Sequence, residues 1–220
     1  MKIIRKIITF LICTVGTAQA ATFDRGNGLI YDDVLDITWL QNANLGAGSI
    51  FDDGSNNTDG RMTWNSAVAW ADDLSFGGFD DWRLASMSVA GGLPTGSGSG
   101  ASIVDCSTAT ELSCRDNELG YMFYQNLVGN SGDNLIGNQG LFENISVTHW
   151  SGTELAPNPV GAFFFVFNNG TPLAGGKQSS ALSAWAVRSG DISATVPEPA
   201  TAMLLGLGLL GWMGAANRKR

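Results

Sequence analysis

Two apolar segments, one at each end of the 220-residue chain, confine a folded domain to the residues between them. Residues 1–20 carry three basic residues among the first six, then an apolar stretch, then Ala18-Gln19-Ala20. A basic start, a short apolar run and a small-residue cleavage site are typical of a secretory signal peptide. The sequence therefore predicts export, with Ala21 as the first residue of the mature protein.

The C-terminal apolar run, Ala200–Ala216, contains no charge and is followed by a basic cluster at Arg218–Arg220. As a helix it would span roughly 25 Å, close to the about 30 Å hydrocarbon core of a bilayer. Basic flanks stay on the cytoplasmic side, so the body of the protein is expected outside. Residues 200–220 are thus predicted to form a transmembrane helix. A buried C-terminal helix is the alternative, disfavoured because the run has no polar stripe.

A short linker, residues 192–199, ends in Val196-Pro197-Glu198-Pro199. Its prolines interrupt a helix entering from the domain and favour an extended segment that a processing enzyme can grip. The order of tetrapeptide, apolar helix and basic cluster resembles the PEP-CTERM sorting signal of Gram-negative bacteria. That resemblance implies an inner-membrane-anchored precursor, recognition by an exosortase, cleavage near Pro-Glu-Pro, and delivery to the cell surface or the exopolysaccharide matrix.

The region between the two ends is strongly acidic. All 20 acidic residues but only six of the 12 basic residues lie within 21–199, which leaves a formal charge of −14. This charge repels nucleic acid and anionic membrane surfaces, so no nucleic-acid partner is expected. It also argues against a broad surface for acidic polysaccharides, while a local basic site stays open.

Two cysteines remain after loss of the signal peptide, Cys106 and Cys114. In an exported chain they predict one disulfide that closes a short loop. A metal site is the weaker alternative, because it needs more ligands than two thiols and the single histidine, His149, is remote in sequence.

The periodicity of the central region predicts an α+β domain. A first helix is expected after the N-cap Thr63, with a buried face and with Asp72 and Asp73 exposed. A second helix is expected over residues 116–128. The buried face comprises Trp64, Ala67, Val68, Ala71 and Leu74. A short buried segment is expected at Trp82–Leu84, and the predicted strands are Leu29–Tyr31, Ile37–Leu40, Ser146–Ser151, Ala162–Asn168 and Ala184–Arg188.

A polar loop before the first helix alternates oxygen-bearing side chains at Asp53, Ser55, Asn57 and Asp59. It fails the EF-hand template, because the sixth position is not glycine and the twelfth is not glutamate. A solvated loop is therefore favoured over a calcium site, and no metal or other cofactor is predicted.

Ordered motifs over residues 23–191 resemble the Lcl C-terminal domain family. They are Phe23–Asp33, a Thr-Trp pair at Trp39, Trp64–Ala67, Gly77–Leu84, Trp150–Glu154 and Ala184–Asp191. The resemblance implies a C-type lectin-like domain over residues 21–191, with two helices beside small antiparallel sheets and paired chain ends. One departure is Ala85-Ser86, where the family has Pro-Thr.

The residues expected to carry this motif structurally are Trp82, Arg83, Leu84, Trp150, Trp185 and Arg188. A guanidinium among apolar neighbours needs carboxylate or carbonyl partners. Asp80, Asp81 or Asp191 are the expected partners of the two arginines, and ligand binding is the alternative role.

No catalytic constellation stands out. A nucleophilic triad would have to use His149, which lies in an apolar strand pattern and is expected to be structural. No pair of carboxylates is marked out for glycoside hydrolysis. The expectation is an exported, surface- or matrix-associated, non-enzymatic binding protein for extracellular polysaccharide. A matrix-acting enzyme and a purely structural matrix component are the alternatives.

Overall fold

The computed structural model describes residues 21–87, 99–100, 105–155, 158–178 and 181–192. These ranges form a mixed α+β arrangement with mostly antiparallel sheets and short helices, which confirms the predicted α+β class. The predicted signal peptide, the linker from residue 193 onward and the predicted span Ala200–Ala216 lie outside them. No helix within the described ranges is long and apolar enough to cross a bilayer.

The elements below are numbered in chain order. The strands are β1 (Thr22–Asp24), β2 (Leu29–Asp32), β3 (Ile37–Leu40), β4 (Arg61–Met62), β5 (Arg83–Leu84), β6 (Ser99–Gly100), β7 (Gly137–Gln139), β8 (Phe142–Ile145), β9 (Thr148–Leu155), β10 (Gly161–Val166), β11 (Thr171–Gly176), β12 (Leu182–Ala184) and β13 (Ala186–Ser189). The helices are α1 (Trp64–Asp73), α2 (Glu111–Cys114) and α3 (Glu118–Tyr121), and α3 continues into a π-helical turn, Met122–Asn126.

A five-stranded sheet in the order β1-β2-β3-β13-β5 joins the two ends of the described chain. The turn between β1 and β2 places Gly26, Asn27 and Gly28 at positive φ, a conformation that glycine adopts without steric cost. β13 pairs antiparallel with β3, so that Val187 lies opposite Trp39. The N-terminal hairpin and the C-terminal strand therefore share one sheet, although β1 itself pairs with β2 and not with β13.

A second sheet has the order β11-β10-β9-β12-β4, and β6 also pairs with β9. β9 is its longest strand and pairs antiparallel with β10 but parallel with β12. β7 and β8 form a separate two-stranded sheet. The predicted strands near residues 146–151, 162–168 and 184–188 are confirmed as β9, β10 and the β12–β13 segment. The edge strand β11 was not predicted.

One aromatic cluster draws on both large sheets. The ring centroids of Trp39 and Trp185 are 4.9 Å apart, and those of Phe142 and Trp185 are 5.3 Å apart. The ring of Phe123, from the π-helical turn, lies 5.6 Å from the ring of Phe165 in β10. Because these side chains are fully buried, the core rests on aromatic contacts between elements that are distant in sequence.

Thr63 caps helix α1 as predicted, and its hydroxyl accepts a hydrogen bond from the backbone N–H of Ser66. Asp72 and Asp73 are exposed, as expected. The buried face is rotated relative to the prediction, since Trp70 is buried and Val68 only half-buried. This rotation places two tryptophans of α1 against the sheets.

The polar loop before α1 is bound to its own backbone. Asp52 is buried, and its Oδ2 accepts from the N–H groups of Gly48 and Gly60 at 2.9 and 2.8 Å. Asp53 accepts from the N–H of Thr63 at 2.8 Å and from the hydroxyl of Ser66 at 2.7 Å. Asp53, Ser55 and Asn57 are exposed, as a solvated loop requires, and Asp53 also fixes the start of α1.

The predicted second helix is present but divided. It is helical over Glu118–Asn126, and its second half is π-helical. Asn126 donates to the buried carboxylate of Asp32 at 2.7 Å, which ties this turn to β2. Burial raises the pKa of Asp32.

Candidate functional site

Arg83, in the motif Trp82-Arg83-Leu84, forms a buried ion pair with Glu118. Its two terminal nitrogens donate to the two carboxylate oxygens at 2.8 and 2.7 Å, and one of them also donates to the carbonyl of Leu84. The carboxylate also accepts from the N–H of Ser86. Its partner was expected among Asp80, Asp81 and Asp191, and that expectation is wrong. The pair joins β5 to α3, which supports a structural role for Arg83.

Arg188 has the partner that the sequence suggested. Its guanidinium donates to both oxygens of Asp81 at 2.7 and 3.0 Å and lies 4.0 Å from the ring centroid of Phe79. These hydrogen bonds hold the pKa of Asp81 below its usual value. Asp191 pairs instead with Arg25, at 2.8 Å. Both arginine pairs connect segments that are distant in sequence, which supports a structural role.

Two of the three motif tryptophans, Trp150 and Trp185, are fully buried. The indole N–H of Trp150 donates to the carbonyl of Met62 at 2.9 Å, and that of Trp185 to the carbonyl of Leu40 at 2.8 Å. Trp82 is also buried and donates to the carbonyl of Phe79. These residues stabilise the sheets and offer no aromatic surface to a ligand.

His149 lies at the centre of the core. It is fully buried, its Nε2 accepts from the N–H of Ser146 at 3.0 Å, and its ring packs edge-on against Phe167. Its Nδ1 is buried without a hydrogen-bond partner in the described part of the chain. Burial lowers the pKa of His149 to about 3, so the ring is neutral at physiological pH. The expectation that this histidine is structural agrees with its position.

Cys106 and Cys114 form the predicted disulfide. The second cysteine ends helix α2, which lies in a segment expected to be loop. The disulfide and α2 therefore build a compact corner next to α3, where the Cβ of an alanine in place of Gly120 would lie 2.7 Å from the Cys106 sulfur.

A groove runs beside the β10–β11 hairpin and the start of α1. Its larger part has a volume of about 560 Å³ and is lined by Asn65, Pro159, Val160, Gly176, Lys177 and Gln178. A smaller part, about 230 Å³, shares Val160 and Gly176 with it. Val160 at their junction is 68% exposed. The groove therefore combines an aliphatic surface with amide side chains, the mixture that small-molecule sites use.

Lys177 forms one wall of this groove and is held in place from two sides. Its Nζ lies 2.7 Å from a carboxylate oxygen of Glu154 and 4.3 Å from the ring centroid of Trp64. The groove was not predicted from the sequence, because its residues come from α1, the segment before β10 and the end of β11. No local spacing motif connects segments so far apart.

No group of three or more His, Cys, Asp or Glu side chains that could hold a metal ion occurs within the described ranges. The sorting tetrapeptide Val196–Pro199 lies outside those ranges.

Comparison with known proteins identifies one segment. Residues 195–219 match the family described as the PEP-CTERM protein-sorting motif. This signal is recognised by exosortase and marks exported proteins that are anchored in the membrane before processing. No curated protein and no solved structure matches the chain. The Lcl and lectin-like relationship, and the boundaries of the predicted domain, remain predictions.

We expect Glu118→Gln to lower the free energy of unfolding by about 3 kcal/mol or more, because it leaves the Arg83 charge buried without a counter-charge. The matched control is Arg115→Ala. It removes the partly exposed ion pair between Glu111, the first residue of α2, and Arg115, the residue that follows α2. That change is expected to cost less than about 1 kcal/mol. Urea unfolding measures the free energy of unfolding of each variant. If both variants lose the same small amount of stability, the Arg83–Glu118 pair does not have the stabilising role assigned to it.

We also expect His149 to make the fold acid-sensitive. Between the unfolded pKa of about 6.5 and the folded pKa of about 3, the unfolded chain binds a proton that the native chain does not. Stability is therefore complete above pH 6.5 and falls as the pH is lowered, by about 2–3 kcal/mol between pH 6 and pH 4.

The variant His149→Gln, which keeps an acceptor for the Ser146 N–H, isolates this effect. The difference in unfolding free energy between wild type and variant, measured at pH 6 and pH 4, is expected to shrink at the lower pH. If the difference in unfolding free energy is independent of pH, His149 is not the source of the acid sensitivity.

Proposed function

We propose that the mature chain is a non-enzymatic binding protein of the cell surface or extracellular matrix, and that it recognises extracellular polysaccharide. The observation that carries this proposal is the sorting signal at residues 195–219. Because the signal implies an exported, exosortase-processed protein, the partners available to the domain are those outside the cell. Exopolysaccharide is the polymer that the sorting system implies.

The groove beside the β10–β11 hairpin supports a polymer ligand. Its two parts share the lining residues Val160 and Gly176, so they lie side by side and together offer a longer surface than either part alone. Asn65 and Gln178 offer amide donors and acceptors for sugar hydroxyls, while Pro159 and Val160 offer aliphatic surface for the C–H faces of a sugar ring. The acidic charge of the domain favours a polymer bound through hydrogen bonds over one bound through its own negative charge.

A lectin-like ancestry agrees with this function. The motifs between Phe23 and Asp191 resemble the Lcl C-terminal domain family, and the five-stranded sheet contains strands from both ends of the domain. Fold analogy of this kind suggests a ligand class but does not establish it. The relationship is part of the proposal.

A binding role also fits the positions of the ionisable groups. The single histidine is buried in the core, and the carboxylates of Asp81, Glu118 and Asp191 are paired with arginines. An enzyme of the matrix would need convergent carboxylates with shifted pKa values in a cleft. We therefore favour binding over catalysis.

The sorting step is tested with Glu198→Gln in the producing cells. We expect this variant to accumulate in the membrane fraction at full length, while wild type is released without residues 200–220. The matched control is Glu143→Gln, an exposed glutamate of the domain, which is expected to be released normally. Intact tails on all the mature surface protein would leave the segment as a simple membrane anchor.

The binding function is tested with the released protein and exopolysaccharide purified from the matrix of the same cells, with calcium and with a chelator. We expect saturable binding that Asn65→Ala weakens about fivefold, the loss of one hydrogen bond. The control Asn57→Ala alters an exposed loop residue outside the groove and is expected to bind like wild type.

Three other results have different meanings. If the polymer is shortened during incubation, the matrix-enzyme alternative is correct. If the protein binds no polysaccharide, a purely structural matrix role replaces the proposal. Binding that disappears only with the chelator adds calcium as a cofactor.

A further inference from the structure

A second cleft, separate from the groove, opens where edge strand β4 meets the β7–β8 sheet. It has a volume of about 420 Å³, within the range of about 300–1,000 Å³ typical of small-ligand sites. Nothing in the sequence motifs or the sorting signal accounts for it. It is lined by Asp59, Arg61, Ile136, Gly137, Ile145, Ser146, Val147, Thr148 and Ser183.

Arg61 differs from the other basic residues of the described chain. Arg25, Arg83, Arg115, Lys177 and Arg188 each form an ion pair, whereas Arg61 forms none in the described ranges. Its side chain is exposed to solvent at the cleft. In a domain with a large acidic surplus, a guanidinium without a carboxylate partner has its donors available for a ligand.

The main chain around Arg61 is nevertheless fixed. Its N–H donates to Oδ1 of Asp59 at 3.0 Å, its carbonyl accepts from the N–H of Gly54 at 2.8 Å, and it pairs with Ser183 across β4 and β12. The position from which the side chain reaches the cleft is thus defined. Preorganisation of this kind reduces the entropy lost on binding.

Asp59 lines the same cleft without forming an ion pair with Arg61 or with another base of the described chain. The cleft therefore presents separate donor and acceptor groups. An anionic ligand would be attracted by Arg61 but repelled by the Asp59 carboxylate. A cationic ligand would be attracted by Asp59 but repelled by Arg61. A neutral ligand with several hydroxyl groups satisfies both, because each hydroxyl can accept one hydrogen bond and donate another.

The remaining walls suit a sugar. Thr148 and Ser183 add hydroxyl groups, and Ile136 and Val147 contribute aliphatic surface that is 37% and 39% exposed. We propose that this cleft binds a neutral hexose unit, with Arg61 donating to one ring hydroxyl and Asp59 accepting from a neighbouring one, without a bridging metal ion. The inference rests on the proposed polysaccharide function and narrows its ligand class to neutral sugars.

The test titrates the full released protein with D-galactose, D-glucose, D-mannose and D-glucuronate, followed by NMR. We expect at least one neutral hexose to shift the amide signals of the cleft, and glucuronate to bind at least tenfold more weakly. Arg61→Ala and Asp59→Asn are each expected to weaken hexose binding about tenfold, as for hydrogen bonds to charged groups. Asparagine at 59 keeps an acceptor for the Arg61 N–H, so the turn is preserved.

Two further variants sharpen the result. Arg61→Lys keeps the charge but loses the forked donor geometry, so its affinity is expected between those of wild type and Arg61→Ala. Arg115→Ala removes an arginine elsewhere on the domain and is expected to bind like wild type. Addition of a chelator is expected to change none of these values, and circular dichroism confirms that each variant is folded.

The inference is overturned if no neutral hexose shifts the cleft signals, if glucuronate binds best, if Arg61→Ala binds like wild type, or if the chelator abolishes binding. These results are distinct from failure of the proposed function. If Asn65→Ala weakens binding to the matrix polymer while Arg61→Ala does not, polysaccharide binding stands and the hexose cleft falls. If the cleft binds a hexose but the protein has no affinity for the matrix polymer, the hexose site stands and the proposed polysaccharide function fails.

Discussion

Trp185 joins the two large sheets at the point where the chain passes from one to the other. It is the single residue between β12, in the six-stranded sheet, and β13, in the five-stranded sheet. Its indole donates to the carbonyl of Leu40 at 2.8 Å, and its own carbonyl accepts from the N–H of Ala85 at 3.4 Å. Because a fully buried tryptophan contributes several kcal/mol, this crossing sets the relative position of the sheets and everything attached to them.

The distribution of charge follows a related logic. Basic residues are few, and three of their ion pairs connect segments far apart in sequence: Arg25 with Asp191, Arg83 with Glu118, and Arg188 with Asp81. The positive charges of the domain are thus largely used to fasten the fold. The surplus of carboxylates then lies mainly outward, which keeps the domain hydrated and disfavours binding by charge attraction to acidic polymers.

Local patterns in the sequence predicted the elements whose signals are local. Helix α1 with its Thr63 cap, the β2–β3 hairpin and the Cys106–Cys114 disulfide depend on near neighbours, and all three are present. The face of α1 was misjudged because Trp70 is buried in the core, which is assembled from residues distant in sequence. Strand β11 was missed because its sequence, Thr171–Gly176, contains proline and glycine and shows no apolar alternation.

The candidate sites were less predictable for the same physical reason. The partner of Arg83 is Glu118, 35 residues away, while three nearer or motif-linked aspartates looked equally suitable in the sequence. The groove and the hexose cleft each combine residues from segments that meet only after the sheets have formed. The composition nonetheless contained a signal for the second cleft. Because the domain has few basic and many acidic residues, a basic residue without an acidic partner is unusual and marks a candidate site.

The architecture of the described residues bears on what a cut in the sorting segment would change. β1 and β13 lie in one sheet, and the pair between Arg25 and Asp191 secures the last described residues to the first strand region. The sheets, the aromatic cluster and the ion pairs all close on residues 21–192. A cut near Pro199, within the matched sorting motif, therefore breaks none of these contacts. The sheets, the aromatic cluster and the ion pairs are each made among residues of the described ranges, so we expect them to persist when the apolar tail is removed.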